Sequence, residues 1–158
     1  MIEPVGVRRA ERRDVAGVAA LWAELLEHHA AVDPALRVRA PALARLGAMV
    51  MAQLDDPEAG LWVWDEAGRA LGFCVARIER APGALAEAKR ATITELAVAP
   101  AARRRGIGGA LVRAALAWAA ERKAARVEVR VAARNADGQR FWRTQGFGDF
   151  VDVLDRRL

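Results

Sequence analysis

The sequence predicts an α/β domain: a central mixed β-sheet flanked by helices. Two observations carry this. Leu61–Trp64 and Leu71–Ile78 are apolar, strand-like runs joined by Asp65-Glu-Ala-Gly-Arg69, a five-residue hairpin connection containing glycine. Ala110–Lys123 is rich in strong helix formers and lies between two strand-like runs, Thr92–Val98 and Val127–Val131. A hairpin makes an antiparallel pair and a strand–helix–strand crossover makes a parallel one, so the two together require a mixed sheet. With 158 residues the chain is expected to form a single domain over 1–158, large enough for its own core without disulfide or metal staples.

The elements follow in order. Val5-Gly-Val7 is a short strand, and Asp14 is placed to cap the next helix. Val15, Val18, Trp22, Leu25, Leu26 and His29 recur at three-and-four spacing, giving an amphipathic helix that stops before Pro34. Leu43, Leu46, Val50 and Leu54 repeat the pattern as a second helix with Pro41 near its start. After the hairpin, Thr92–Val98 is expected as a third consecutive strand, ended by Pro100. Val127, Val129 and Val131 alternate with Arg126, Glu128 and Arg130 as a strand. Asn135–Gln145 reads as a short helix closed by Gly146, and Phe147–Leu154 as a last strand.

Composition narrows the function. Apolar residues are 54% of the chain and charged residues 28%, a globular balance rather than a disordered one. The lone cysteine, Cys74, excludes a disulfide framework and a Cys-rich zinc site, and no metal site is expected. No apolar stretch is long enough to span a bilayer, and the charged segment 1–13 does not read as a secretory signal. A cytoplasmic location without membrane contact is expected. The net charge of +5 points to a basic protein or to an anionic partner, and the positions of the arginines decide between these.

Within Thr92–Val98 the apolar residues start in one phase, at Ile93, and continue in the other, at Leu96 and Val98. One extra residue near Thr94–Glu95, a β-bulge, explains the slip. Glu95 on a half-exposed strand face is the simpler alternative. Between this strand and the following helix stands Arg103-Arg-Arg-Gly-Ile-Gly-Gly109. Glycines allow a sharp turn and close approach, and free amides at a helix start suit a pyrophosphate. A dinucleotide fingerprint would need glycine or alanine where Leu111 stands, and a P-loop would need Gly-Lys-Ser/Thr.

Here the sequence resembles the GNAT acetyltransferase superfamily. Its main motif, Arg/Gln-x-x-Gly-x-Gly/Ala after a bulged strand, is matched by Arg103–Gly108. Leu96-Ala-Val98 with Pro100 looks like the family's strand ending, and Asn135, Phe141-Trp142 and Gly146-Phe147 look like its second motif. The resemblance covers residues 60–148. It implies a GNAT-like fold and an N-acetyltransferase with acetyl-CoA as co-substrate. The backbone at Leu96, Ala97 and Val98 would bind the pantetheine arm. The loop Arg103, Arg104, Arg105, Gly106, Ile107, Gly108 and Gly109 would hold the pyrophosphate, and Asn135 would contact pantetheine or anchor the last helix. Trp142 would also lie against the coenzyme. Dimerisation is common in the family, so a homodimer is expected.

Transfer to an amine requires that the amine lose a proton. Glu95 is the candidate base, with the Val98 amide polarising the thioester carbonyl. His29 is a rival on the apolar face of the first helix, where a core histidine is the simpler reading. His28 and Asp33, with Glu95, are candidates for contacting the substrate amine; Asp33, Asp55 and Asp56 suit either a cationic amine or helix caps and turns. Many relatives carry a tyrosine as acid where this chain has Trp142, and an indole cannot serve so. Cys74, Trp62 and Trp64 read as packing residues. The alternative function is a non-catalytic CoA-binding regulatory module. Nucleic-acid binding is not expected, because the densest arginines are taken by the coenzyme phosphates and no base-reading motif accompanies them.

Overall fold

The computed structural model describes residues 5–158. Its strands are β1 (Gly6–Arg9), β2 (Ala59–Glu66), β3 (Arg69–Arg80), β4 (Lys89–Val98) and β5 (Val127–Val129). Its helices are α1 (Val15–Val32), α2 (Ala40–Leu43), α3 (Leu46–Asp55), α4 (Ile107–Glu121) and α5 (Ala136–Thr144). The sheet runs in the order β1-β2-β3-β4-β5. Its first four strands pair antiparallel, and β4 pairs with β5 in parallel. The mixed sheet follows from the hairpin and the crossover.

Alternation along β2 and β3 builds two cores. Leu61, Val63, Phe73 and Val75 face α1 and α3, where they pack on Val18, Leu21, Trp22, Leu46 and Val50. Trp62, Cys74 and Ala76 face the other way, with Ile93, against Ile107, Leu111, Val112 and Ala115 of α4. Period two in the strands and period 3.6 in the helices thus make one sheet with an apolar layer on each side.

Several boundaries differ from the sequence reading. Asp14 directly precedes α1 but does not cap it. Its carboxylate accepts from the Glu11 amide at 2.8 Å and from Arg8, which also reaches Asp65 of β2. Both acids are buried, so one guanidinium neutralises two carboxylates and ties β1, β2 and the start of α1 together. The second predicted helix is two pieces, α2 and α3, separated by Ala44 and Arg45. The β2–β3 connection is a two-residue turn, Ala67-Gly68, with φ of 53° and 74°; the strands continue through Asp65, Glu66 and Arg69. β4 begins at Lys89, and β5 ends at Val129 rather than Val131.

The predicted strand at 147–154 is absent. Phe147 packs edge-on against Trp142 and Phe150 lies over the Arg126 guanidinium, while Val151, Val153 and Leu154 are exposed. Apolar alternation makes a strand only where a ladder partner meets the backbone. No helix among the described residues is long and apolar enough to cross a membrane.

Candidate active site

The register fixes the bulge. Val75 opposes Glu95 and Ala76 opposes Ile93, so Thr94 is the extra residue on β4. Up to that point β4 and β5 are paired, from Ala91↔Val127 to Ile93↔Val129; beyond it they part. The seam opens a cleft of about 60 Å³ lined by Leu25 and His29 of α1, Ile93–Leu96 of β4, Val129, Arg130 and Trp142. The amide of Ala99 donates to Leu71 of β3 at 2.8 Å. By alternation, the amides of Val98 and Leu96 point away from β3, into the seam.

Glu95 shares the face of Val75, toward α1. It is half-buried, and burial pushes its pKa up to about 7, partly offset by the Trp22 indole N–H. A carboxyl with that value is uncharged in mild acid and becomes a proton acceptor near neutrality. His29 lines the same cleft, and burial, aided by the neighbouring His28, holds its pKa below the usual histidine range. His28 is exposed and lies outside the lining. Asp33 caps the turn Pro34–Leu36 through the Ala35 amide at 3.0 Å and lies 3.8 Å from Arg134. The other acids considered for a cationic amine are paired: Asp55 with Arg12 at 3.0 Å and Asp56 with Arg77 at 2.6 Å. Cys74 is fully buried in the α4-side core, and burial, with Glu95 nearby, raises its thiol far above an acid useful at neutral pH.

The glycine loop follows the end of β4, beyond the residues that line the cleft. Gly106 adopts φ 78°, a left-handed conformation, and α4 starts immediately after it. The first-turn amides of Ile107, Gly108 and Gly109 have no carbonyl one turn back and no side-chain cap. Gly108 is needed for packing as well: a Cβ there would stand 3.2 Å from the Phe141 ring of α5. Arg103 donates through Nε to the Val98 carbonyl at 3.2 Å, closing the loop onto the end of β4. Arg104 takes a left-handed φ of 60°, and Arg105 is paired with Glu66 at 2.6 Å. Free amides at the positive end of a helix, preceded in sequence by three arginines, suit a pyrophosphate. Asn135 caps α5, its Oδ1 accepting from the Gly138 amide at 2.9 Å. Trp142 lies between Phe141 and Phe147 and lines the seam.

Arg130 was not among the residues singled out by sequence. It reads there as the outer face of a strand, and only the opening of the seam turns it toward a site. Trp22 has the spacing of a core residue, and it is both core and a neighbour of the Glu95 carboxyl.

The family model of the acetyltransferase (GNAT) family matches residues 22–147. The chain therefore belongs to that family of acetyltransferases. No curated protein matches it in sequence. Among solved structures it is similar to a mutant form of the BH1408 protein from Bacillus halodurans, at 20% identity and a TM-score of 0.86. That match covers 96% of this chain and 98% of the other. It is also similar to the aminoglycoside N-acetyltransferase AAC(6')-Iy in complex with CoA, at 16% identity and a TM-score of 0.75, over 96% of this chain and 98% of that one. A third is the aminoglycoside antibiotic 6'-N-acetyltransferase AAC(6')-IG from Acinetobacter haemolyticus, at 16% identity and a TM-score of 0.76, over 97% of both chains. At these identities the likeness is one of fold.

Proposed function

We propose that this protein is a cytoplasmic N-acetyltransferase that moves an acetyl group from acetyl-CoA to the amine of a small molecule or protein by direct attack in a ternary complex. One observation carries the reading: a half-buried carboxyl poised near neutrality, Glu95, stands at the opening of a seam whose edge amides, Leu96 and Val98, are free. Acetyl-CoA supplies the acetyl group in activated form, as a thioester.

The chain's own residues do the rest. The amides at Leu96 and Val98, with Ala97 between them, present an unpaired strand edge to the pantetheine arm. The loop Arg103–Gly109 supplies the amides and positive charge for the pyrophosphate. The Val98 amide stabilises negative charge on the acetyl oxygen. Glu95 takes the proton of the attacking amine, directly or through water, as the carbon–nitrogen bond forms and the carbon–sulfur bond breaks. The departing thiolate takes a proton from water, since the Trp142 indole is no acid near neutral pH and a thiol of pKa about 8.5 leaves readily. Asn135 supports this arrangement by fixing the start of α5, and His28 and Asp33 lie outside the cleft lining.

An assay of free thiol release from acetyl-CoA across a broad panel of amines tests the reading. Turnover with at least one amine class is expected. Acetyl-CoA binding with no thiol release from any amine would replace it with the CoA-binding regulatory module. Light scattering checks the homodimer that belongs to the same reading.

A further inference from the structure

We infer that the acceptor carries a carboxylate, and that Arg130 binds it: the substrate is a small amino acid whose amine meets Glu95 at one side of the cleft and whose carboxylate meets Arg130 at the other. This rests on the acetyl-transfer reading and names its substrate class.

The outer row of β5 and its continuation is Arg126, Glu128 and Arg130. Thr92↔Glu128 in the register puts this row on the same face as Arg90 and Thr92 of β4. Along that face the charges are matched. Arg126 binds Glu128 at 2.8 Å and also Glu87. Arg90 binds Glu79 at 3.0 Å and approaches Glu128 at 3.7 Å. Arg130 ends the row and breaks the pattern: among the described residues it has no carboxylate within ion-pair distance. It lines the seam instead, with Glu95 and His29.

The cleft therefore holds one acid and one guanidinium, joined by apolar walls from Leu25, Ile93 and Trp142. That charge pattern is complementary to a zwitterion. A planar guanidinium binds a carboxylate through two parallel hydrogen bonds, which fixes the orientation of the bound molecule as well as its affinity. A polycationic acceptor finds the opposite of what it needs, because Asp33, Asp55 and Asp56 are already engaged by Arg134, Arg12 and Arg77.

Thiol release is measured for wild type and Arg130→Gln with glycine, alanine and threonine, with ethylamine and ethanolamine, and with a polyamine. Wild type should prefer the amino acids over the carboxylate-free amines by at least roughly 30-fold in kcat/KM, the scale of one charge-assisted hydrogen-bond pair. Arg130→Gln should collapse that preference toward one, through KM for the amino acid. Thermal unfolding with CoA plus N-acetylglycine supplies a second readout that needs no turnover: the pair should raise the wild-type Tm above CoA alone, and the variant should lose that increment. Equal use of both amine classes by wild type, or a preference that survives Arg130→Gln, overturns the assignment while leaving acetyl transfer standing. No turnover with any amine, but an Arg130-dependent Tm increment, sinks the transfer reading and leaves the carboxylate site. Absence of both the preference and the increment overturns the carboxylate site.

Discussion

The site has two parts made from different materials, and the cleft is lined mainly by the second. The wall formed by the end of β4 and the start of α4 is backbone: free amides at Leu96 and Val98, a left-handed Gly106, and an uncapped first turn. The cleft wall is side chains: His29 from α1, Glu95 from β4, Arg130 after β5 and Trp142 from α5. Backbone recognition suits a partner that never changes, and it is robust to side-chain replacement. Side-chain recognition is adjustable and fragile, since each group acts alone. Mutations should therefore separate the two walls sharply.

The largest effect is expected at Glu95. Glu95→Gln should lower kcat by about 10²–10⁴-fold, the usual contribution of a positioned base. Wild-type kcat/KM should rise with pH through about 7 and then level, because only the carboxylate accepts a proton, and the variant should lose that limb. Stability moves the other way. The folded-state pKa lies above the ordinary value of 4.5, so the contribution of Glu95 is fully present below pH 4.5 and is lost as pH rises through about 7. Glu95→Gln should thus be more stable than wild type at pH 8, and denaturant titrations at pH 4.5 and pH 8 will read the difference.

A smaller effect is expected from a change that reaches the backbone wall. Gly108→Val places branched carbon against the Phe141 ring, already 3.2 Å from a bare Cβ. It should cost about 1–3 kcal/mol of stability by overpacking and raise KM for acetyl-CoA as the first turn of α4 shifts. The smallest effect belongs to Arg103→Gln. That side chain is exposed and makes one hydrogen bond, to the Val98 carbonyl. Stability should stay within about 0.5 kcal/mol, with KM for acetyl-CoA rising by less than roughly tenfold. If Arg103→Gln raised that KM more than Gly108→Val, the coenzyme wall would be side-chain-built after all.

The same contrast explains what could be read from the sequence. The backbone wall was legible because backbone geometry dictates residue types at fixed spacing: glycines at 106, 108 and 109, and a phase slip at Thr94. The two cores were legible from periodicity. The side-chain wall was not, because α1, β4 and the end of β5 are distant in sequence and meet only through the register. His28 and His29 are adjacent in the chain, and only the helix's rotation against the sheet sets one into the cleft and the other outside. For Asp33 the residue type leaves a substrate contact and a turn cap equally open, and only the fold decides for the cap. The segment 147–154 had the alternation of a strand but not the neighbour that makes one.

Thr94 has one further consequence. The side chains of Ile93, Leu96 and Val98 all lie on the α4 side, and Ala91, like Val98, turns its amide away from β3. The inserted residue therefore changes neither the facing of the side chains nor the edge to which the amides belong. It changes only the direction in which β4 travels. A chain shortened by this single threonine would keep every other chemical group of the site on its present side, yet its two parallel strands would be free to zip shut. The residue on which access to the cleft depends thus contributes length rather than chemistry, and an inventory of reactive side chains would pass over it.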